Sequence, residues 1–261
     1  MVETYINFAN AYDEFMDNVP YHQWGNFIRE ILLKHNIKEG LVADLGCGTG
    51  TLTEILASFG YDMIGIDYSA QMLAVAKNKE ESSPYDILYL LQDMREFELY
   101  GSVKAVVSVC DSINYILETS ELEKVFERVN YYLDPNGLLI FDFNTEYKYR
   151  EVIGNQTIGE NREDKSFIWE NYYYEEERIN EIELSLFVKE EDGYNSTGSR
   201  GELYRKHVEM HQQRAYSLEE IQELLEKVGL EFVKAYDDYT TDEVHDKSER
   251  IVVVARKNKR R

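Results

Sequence analysis

Between residues 41 and 58 the chain passes from an apolar run through a glycine-rich bend into a helix-forming stretch. The run is Leu41-Val42-Ala43-Asp44-Leu45, and the bend is Gly46-Cys47-Gly48-Thr49-Gly50. The helix is expected from about Thr51 to Ser58. Glycines at this junction let the main chain turn without a Cβ clash and approach a ligand closely. The helix that follows aims its first N–H groups at whatever occupies the bend. This arrangement commits the chain to a strand, a tight loop and a helix that begins at the strand's carboxyl end, where open α/β sheets bind their ligands.

The same grammar recurs on either side of this junction. Strands are expected at Asp62–Ile66, Ile87–Leu91, Val103–Val109 and Leu138–Phe143, with helices at Ala70–Lys79 and Leu122–Leu133. Asp134-Pro135-Asn136-Gly137 reads as a turn. Ser217 with Glu220 forms a capping box for a helix ending near Val228 and Gly229. Leu230–Asp237 and Arg250–Arg256 read as two last strands. Upstream, a helix after Pro20 carries Trp24, Phe27, Ile28 and Ile31. Strands alternating with helices give an α/β fold: a doubly wound, mostly parallel sheet with helices on both faces.

From about Thr145 to Arg214 the pattern changes. Ile168, Tyr172, Tyr174, Ile182, Leu184, Leu186 and Val188 lie in partly alternating runs separated by acidic, glycine-containing breaks such as Glu190-Glu191-Asp192-Gly193. This segment reads as an inserted antiparallel β subdomain, 145–214, between core segments 1–144 and 215–261. The 261 residues suffice for one large domain with such an insertion. Fifty acidic residues against 28 Lys and Arg give a net charge of −22, which repels phosphate backbones, so no nucleic-acid partner is expected. The start of the chain lacks the basic and apolar runs of a signal peptide, and no stretch is long and apolar enough to span a bilayer. With two cysteines and no disulfide framework, a cytoplasmic protein is expected. The sequence fixes no assembly state and no metal site.

The glycine spacing is G-x-G-x-G. The dinucleotide fingerprint G-x-G-x-x-G would need glycine where Thr51 stands. With Asp44 before it, the loop resembles the first motif of the class I S-adenosylmethionine-dependent methyltransferases, whose sheet is seven-stranded and Rossmann-like. Asp67 ends the second strand about twenty residues on and is followed by Tyr68, Ser69 and Met72, similar to that family's second motif. Asp93 ends the third strand, followed by Met94. The resemblance implies S-adenosyl-L-methionine as cofactor and S-adenosyl-L-homocysteine as product. Asp67 would bind the ribose hydroxyls, Tyr68 and Met72 would flank the adenine, and Asp93 with the Met94 N–H would read its edge. Gly46, Cys47, Gly48 and Cys110 would line the cofactor. Asp44 either orients the loop through main-chain N–H groups or reaches the methionine amine. The pattern Tyr5-x-x-Phe8-Ala9-x-x-Tyr12-Asp13 resembles a helical lid, with Tyr12 and Trp24 near the methionine end. An amphipathic helix packed on the core accounts for Phe8 and Phe15 equally well.

Methyl transfer is an in-line displacement that needs alignment and exclusion of water rather than a fixed triad. The acceptor is expected near the end of the fourth strand, at Cys110-Asp111-Ser112-Ile113-Asn114-Tyr115. There Asp111 could hold a cationic amine or accept a proton, and Tyr115 could orient the nucleophile. His211 could act as base, and Arg214 could bind an anionic group or tie the insert to acidic neighbours. His207 and His211 lie four apart, a metal-pair spacing only on a helix, and the segment reads as strand. The function expected is methyl transfer to a small polar acceptor, with an amine as one case. A cofactor-binding protein without turnover and, less well supported by the glycine spacing, a nicotinamide oxidoreductase stand beside it.

Overall fold

The computed structural model describes residue 9 and residues 12–190 and 203–258. Its first layer is a seven-stranded sheet built from β1 (Gly40–Leu45), β2 (Tyr61–Asp67), β3 (Leu88–Leu91), β4 (Val103–Ser108), β5 (Leu133–Asn144), β10 (Leu230–Asp237) and β11 (Arg250–Lys257). The strand order is β10-β11-β5-β4-β1-β2-β3. Only β11 runs antiparallel to its neighbours, β10 and β5. The expected doubly wound, mostly parallel sheet is therefore the one found. The order reverses between β1 and β4, and this switch point opens a crevice at their carboxyl ends.

Alternation along the strands divides the apolar residues between two faces. On one face, Leu139, Phe141 and Phe143 of β5 pack with Leu122, Phe126 and Val129 of α4 (Thr119–Tyr132) and Ile221 and Leu225 of α5 (Leu218–Lys227). On the other, Leu138 and Ile140 pack with α1 (Tyr21–Lys34), α2 (Thr51–Ser58) and α3 (Ala70–Glu80) through Ile28, Leu56 and Ala76. None of the described helices is long and apolar enough to cross a membrane.

One local expectation is overturned. Asp134-Pro135-Asn136-Gly137 does not separate α4 from β5 as a free turn. It lies inside β5, where the pairing with β4 slips between Val103↔Leu133 and Ala105↔Leu138. Asn136 takes φ 65°, so the turn-forming residues build a bulge in a strand that starts five residues earlier than expected.

The second layer is an antiparallel sheet of β6 (Thr157–Asn161), β7 (Lys165–Tyr174), β8 (Ile179–Lys189) and β9 (Tyr204–Arg214), in that order. It follows β5 and returns to α5. Asn114, in the 3-10 turn Ser112–Tyr115, pins the return. Its Nδ2 donates to the carbonyls of Arg214 (2.8 Å) and Asn144 (3.0 Å), and its Oδ1 accepts from Asn144 N (2.9 Å). The N-terminal pattern lies partly outside the described residues: Tyr5 and Phe8 are not among them, while Ala9, Tyr12 and Asp13 are.

The capping box at α5 is present in both directions, Glu220 N to Ser217 Oγ (3.2 Å) and Ser217 N to Glu220 Oε2 (2.8 Å). Glu220 also receives Arg178 at 2.8 and 2.7 Å. Removing the hydroxyl leaves one first-turn N–H without its acceptor. Ser217→Ala should lower unfolding free energy by about 1 kcal/mol in a denaturant titration, with an unchanged m-value.

Candidate active site

A cavity of about 1080 Å³ opens at the switch point, between the carboxyl ends of β1, β2 and β4 and the underside of the second sheet. Every residue expected to bind cofactor or act in catalysis borders it. Its size is just above the ~300–1,000 Å³ usual for small-molecule sites. The floor is the glycine loop. Gly46, Gly48 and Gly50 all have positive φ, 72°, 54° and 78°. A Cβ at Gly46 would stand 2.7 Å from Ser112 Oγ, whereas one at Gly48 would meet nothing within 4 Å. The first glycine is thus needed for packing, and the second leaves the main chain bare toward the cavity.

Asp67, not Asp44, orients this loop. Asp67 Oδ2 accepts from Gly48 N and its Oδ1 from Ser69 N, each at 2.8 Å. Burial raises its carboxyl pKa, against the pull of those N–H groups. The Tyr68 N–H adds to that pull, and the carboxylate keeps acceptor capacity beyond these donors. Asp44 instead accepts from Thr53 Oγ1 at 2.7 Å through Oδ2. Its Oδ1 is buried with no hydrogen-bond partner among the described residues. Burial, with Asp67 nearby, lifts the Asp44 carboxyl to about 7, although the Thr53 bond opposes the shift. The donor set fits S-adenosylmethionine: an unpartnered buried carboxylate oxygen suits a cationic group, and Asp67 suits a diol. The Cys47 thiol is pushed up by burial and by Asp44 and Asp67, so it is a small loop residue rather than a nucleophile.

The cavity wall at the end of β3 departs from expectation in one respect. Asp93 is chelated by Arg95, whose Nε stands 2.9 and 3.0 Å from its two oxygens, and Arg95 also reaches Glu121 at 3.0 Å. Arg95 holds the Asp93 carboxyl below the usual range. Met94 borders the same wall. Tyr68 is 73% exposed at the cavity edge, and Met72 N is capped by Ser69 Oγ at 3.3 Å.

The wall at the end of β4 is built on a strained turn. Cys110 and Asp111 both take left-handed φ, 55° and 51°. Asp142, fully buried in β5, holds them there by accepting from Cys110 N (3.2 Å) and Asp111 N (2.6 Å). It accepts as well from Tyr239 Oη (2.6 Å) and Arg250 (2.7 Å). Arg250 continues to Asp111 Oδ1 at 3.0 Å, and its guanidinium lies 5.2 Å over the Trp24 ring. Burial pulls the Arg250 pKa down, but Asp142 and Asp111 together push it well above the ordinary value. Trp24 is stacked on Tyr239, 4.6 Å between centroids, which makes it a support for this network. Asp111 Oδ2 accepts from Gln213 on β9 at 2.6 Å. With both oxygens engaged, Asp111 holds the turn and ties the second sheet to the first. The Cys110 thiol is raised to about 12 by burial and donates to Tyr21 Oη at 3.4 Å; Tyr21 in turn bonds Tyr12.

The roof places His211 over the cavity, its ring 6.0 Å from that of Tyr115 and nearly perpendicular. His211 Nε2 is 3.1 Å from Glu209 Oε2. Burial and Asp111 raise the Tyr115 hydroxyl, and Tyr115 remains 40% exposed where the cavity opens. His207 is buried on the same strand, away from the cavity. Arg214 joins Glu220 and the Leu117 carbonyl instead of lining the site.

Residues 42–137 match the model of a methyltransferase domain family. The "Putative methyltransferase YqeM" of Bacillus subtilis (strain 168) is 36% identical over 256 residues, covering 98% of each chain. The crystal structure of an S-adenosylmethionine-dependent methyltransferase from Clostridium acetobutylicum superposes with a TM-score of 0.84 at 29% identity, covering 97% of this chain and 98% of that one. A dTDP-3-amino-3,6-dideoxy-alpha-D-glucopyranose N,N-dimethyltransferase from Streptomyces fradiae is 30% identical over 123 residues, 47% of this chain and 46% of its own. The chain belongs to the S-adenosylmethionine-dependent methyltransferases.

Sequence reasoning missed Asp142, Tyr239, Arg250 and Glu209. Breaking the network should be costly because it strands a buried charge. Arg250→Met should destabilise the fold by about 3–5 kcal/mol in urea unfolding, and adding Asp142→Asn should recover part of that loss.

Proposed function

We propose that this protein transfers a methyl group to a small polar acceptor, an amine, held between the two sheets. One observation carries the reading: a single cavity has an unpartnered carboxylate oxygen of Asp44 at its floor and an imidazole with its carboxylate on its roof. The Streptomyces fradiae relative, by its name, methylates an amino sugar, which supports nitrogen as the accepting atom.

S-adenosylmethionine, when bound, supplies a methyl group activated by a positively charged sulfur. The protein's share is binding, alignment and exclusion of water. Asp67 would accept from the ribose hydroxyls with its remaining lone pairs, and Asp44 would face the ammonium of the methionine moiety. Tyr68 and Met72 would flank the adenine, with Met94 along its edge. Asp93, occupied by Arg95, has less capacity for the exocyclic amine than its position suggests. Tyr12 and Trp24 would close the methionine end, Trp24 through its support of Arg250. On the acceptor side His211 would take a proton from the nucleophile and Tyr115 would orient it. Asp111 serves as a positioning residue, fixed by Arg250 and Gln213. The insert, 145–214, acts as the roof that shields the reacting atoms from solvent.

Binding should be visible without turnover. At a ligand concentration one hundred times Kd, S-adenosylmethionine should stabilise the protein by about 2.7 kcal/mol and raise Tm by roughly 5–10 °C. Asp67→Ala should erase the shift, and absence of any shift in the wild type would contradict the reading.

Asp44 sets the pH dependence. Burial pushes its carboxyl up to about 7, so below that pH a cationic ligand must expel a proton to bind. Affinity measured by calorimetry should therefore fall as pH drops from 8 to 6, by at most about tenfold per unit, and Asp44→Asn should flatten the profile.

A further inference from the structure

In β9, Glu209 and His211 border the cavity on the face shared with Ile182 and Leu184, while Val208 and Met210 reach its rim from the alternate face. Val208 and Met210, at the rim on the outer face, are 48% and 56% exposed. His207, Glu209, His211 and Gln213 point inward, onto the face where Ile182, Leu184 and Leu186 are buried. Hydrophobic sorting of a half-buried strand gives the opposite orientation. Two of the four inward groups have structural work: Gln213 bridges Tyr149 and Asp111, and His207 is buried away from the cavity. Glu209 and His211 border the cavity as a pair 3.1 Å apart, with Trp169, Ile182 and Leu184 around them.

An enclosed carboxylate calls for a countercharge. The Glu209 side chain is 14% exposed, and its ion-pair partner among the described residues is His211, which is charged only when protonated. The arginines that border the cavity are engaged elsewhere, Arg95 with Asp93 and Glu121, Arg250 with Asp142 and Asp111. The acceptor side therefore offers a negative group and an apolar surface, and among the described residues no cation free to hold a phosphate or carboxylate. The dTDP sugar named for the Streptomyces fradiae relative carries a diphosphate, for which this roof has no counterpart.

We propose that Glu209 is the specificity-determining residue of the acceptor site, and that it selects an alkylammonium on an apolar body, without phosphate or carboxylate. The inference rests on the methyltransferase reading above. The Glu209 carboxylate accepts hydrogen bonds from the ammonium, while Trp169, Ile182 and Leu184 pack against the carbon skeleton. The ammonium N–H bond then breaks, its electron pair stays on nitrogen, and the proton moves to the His211 imidazole and on to solvent. Nothing is oxidised or reduced, and charge is conserved between the two groups.

The test uses the full chain saturated with S-adenosylhomocysteine and labelled at the tryptophan indole nitrogens, of which there are two, Trp24 and Trp169. Cyclohexylammonium, cyclohexanol and cyclohexanecarboxylate are titrated separately, and the Trp169 resonance is followed. Cyclohexylammonium should bind at least about tenfold more tightly than cyclohexanol, a difference of about 1.4 kcal/mol, and the carboxylate more weakly still. Glu209→Gln should remove the preference while the calorimetric affinity for S-adenosylhomocysteine stays the same, and Glu209→Asp should restore part of it. Equal binding of the three probes, no binding of cyclohexylammonium, or a preference that survives in Glu209→Gln overturns the proposal. If S-adenosylhomocysteine itself fails to bind, the methyltransferase reading falls and this inference with it; if it binds and the amines are not discriminated, only the inference falls.

Discussion

A carboxylate with no exposed surface, Asp142, sits near the carboxyl end of β5 between Phe141 and Phe143, and the cavity wall after β4 depends on it. Two of its donors are the consecutive N–H groups of Cys110 and Asp111, in a backbone conformation that costs non-glycine residues about 1–3 kcal/mol each. The others are Tyr239 and Arg250, which bring in the far end of the sheet. A buried ion pair of this kind adds little net stability compared with apolar packing. What it supplies here is position. It fixes the loop after β4 in a single shape, turns Asp111 toward Gln213, and through that bond sets the height of the roof above the floor.

The same cavity is closed from a third side. Asp13 accepts from Thr49 Oγ1 and pairs with Lys79, each at 2.5 Å, which ties the N-terminal segment to the glycine loop. Asp17 binds Arg162 and Glu14 binds Lys165, both on the second sheet, and Phe15 meets Phe167 edge to face at 4.9 Å. Individually these exposed pairs are worth little. Together they bridge the two sheets along one edge of the site, as Asn114 and Gln213 bridge them along another. The segment that resembles a lid thus contacts floor and roof at once.

The sequence made the floor of the site readable and left its wall obscure, for a physical reason. Gly46 and Gly48, Asp67 and Asp93 announce themselves because local rules govern strand-end loops: positive φ demands glycine, and the acids fall at fixed distances along one chain segment. The Asp142 network joins residues 111, 142, 213, 239 and 250, and no local pattern relates them. Asp142 lay inside an apolar run and read as part of a buried strand. Asp111 is visible in the sequence as an acid after the fourth strand, but its partners Arg250 and Gln213, which engage both its oxygens, are not. Asp93 carries its cue in the sequence, an arginine two residues later, Arg95. In β9 the alternation of His207, Glu209, His211 and Gln213 with Val208 and Met210 was legible, yet alternation alone does not say which face turns inward.

On the proposed reading one cavity holds cofactor and acceptor together, the adenosine against the glycine loop and Asp67, the reacting end beneath His211 and beside Tyr115. A crystal structure with S-adenosylhomocysteine bound tests it most directly. Ribose hydroxyls are expected within hydrogen-bond distance of the Asp67 carboxylate, with the sulfur facing the space between Tyr115 and His211. Density for the ligand outside this cavity, or a ribose that leaves Asp67 untouched, would contradict it.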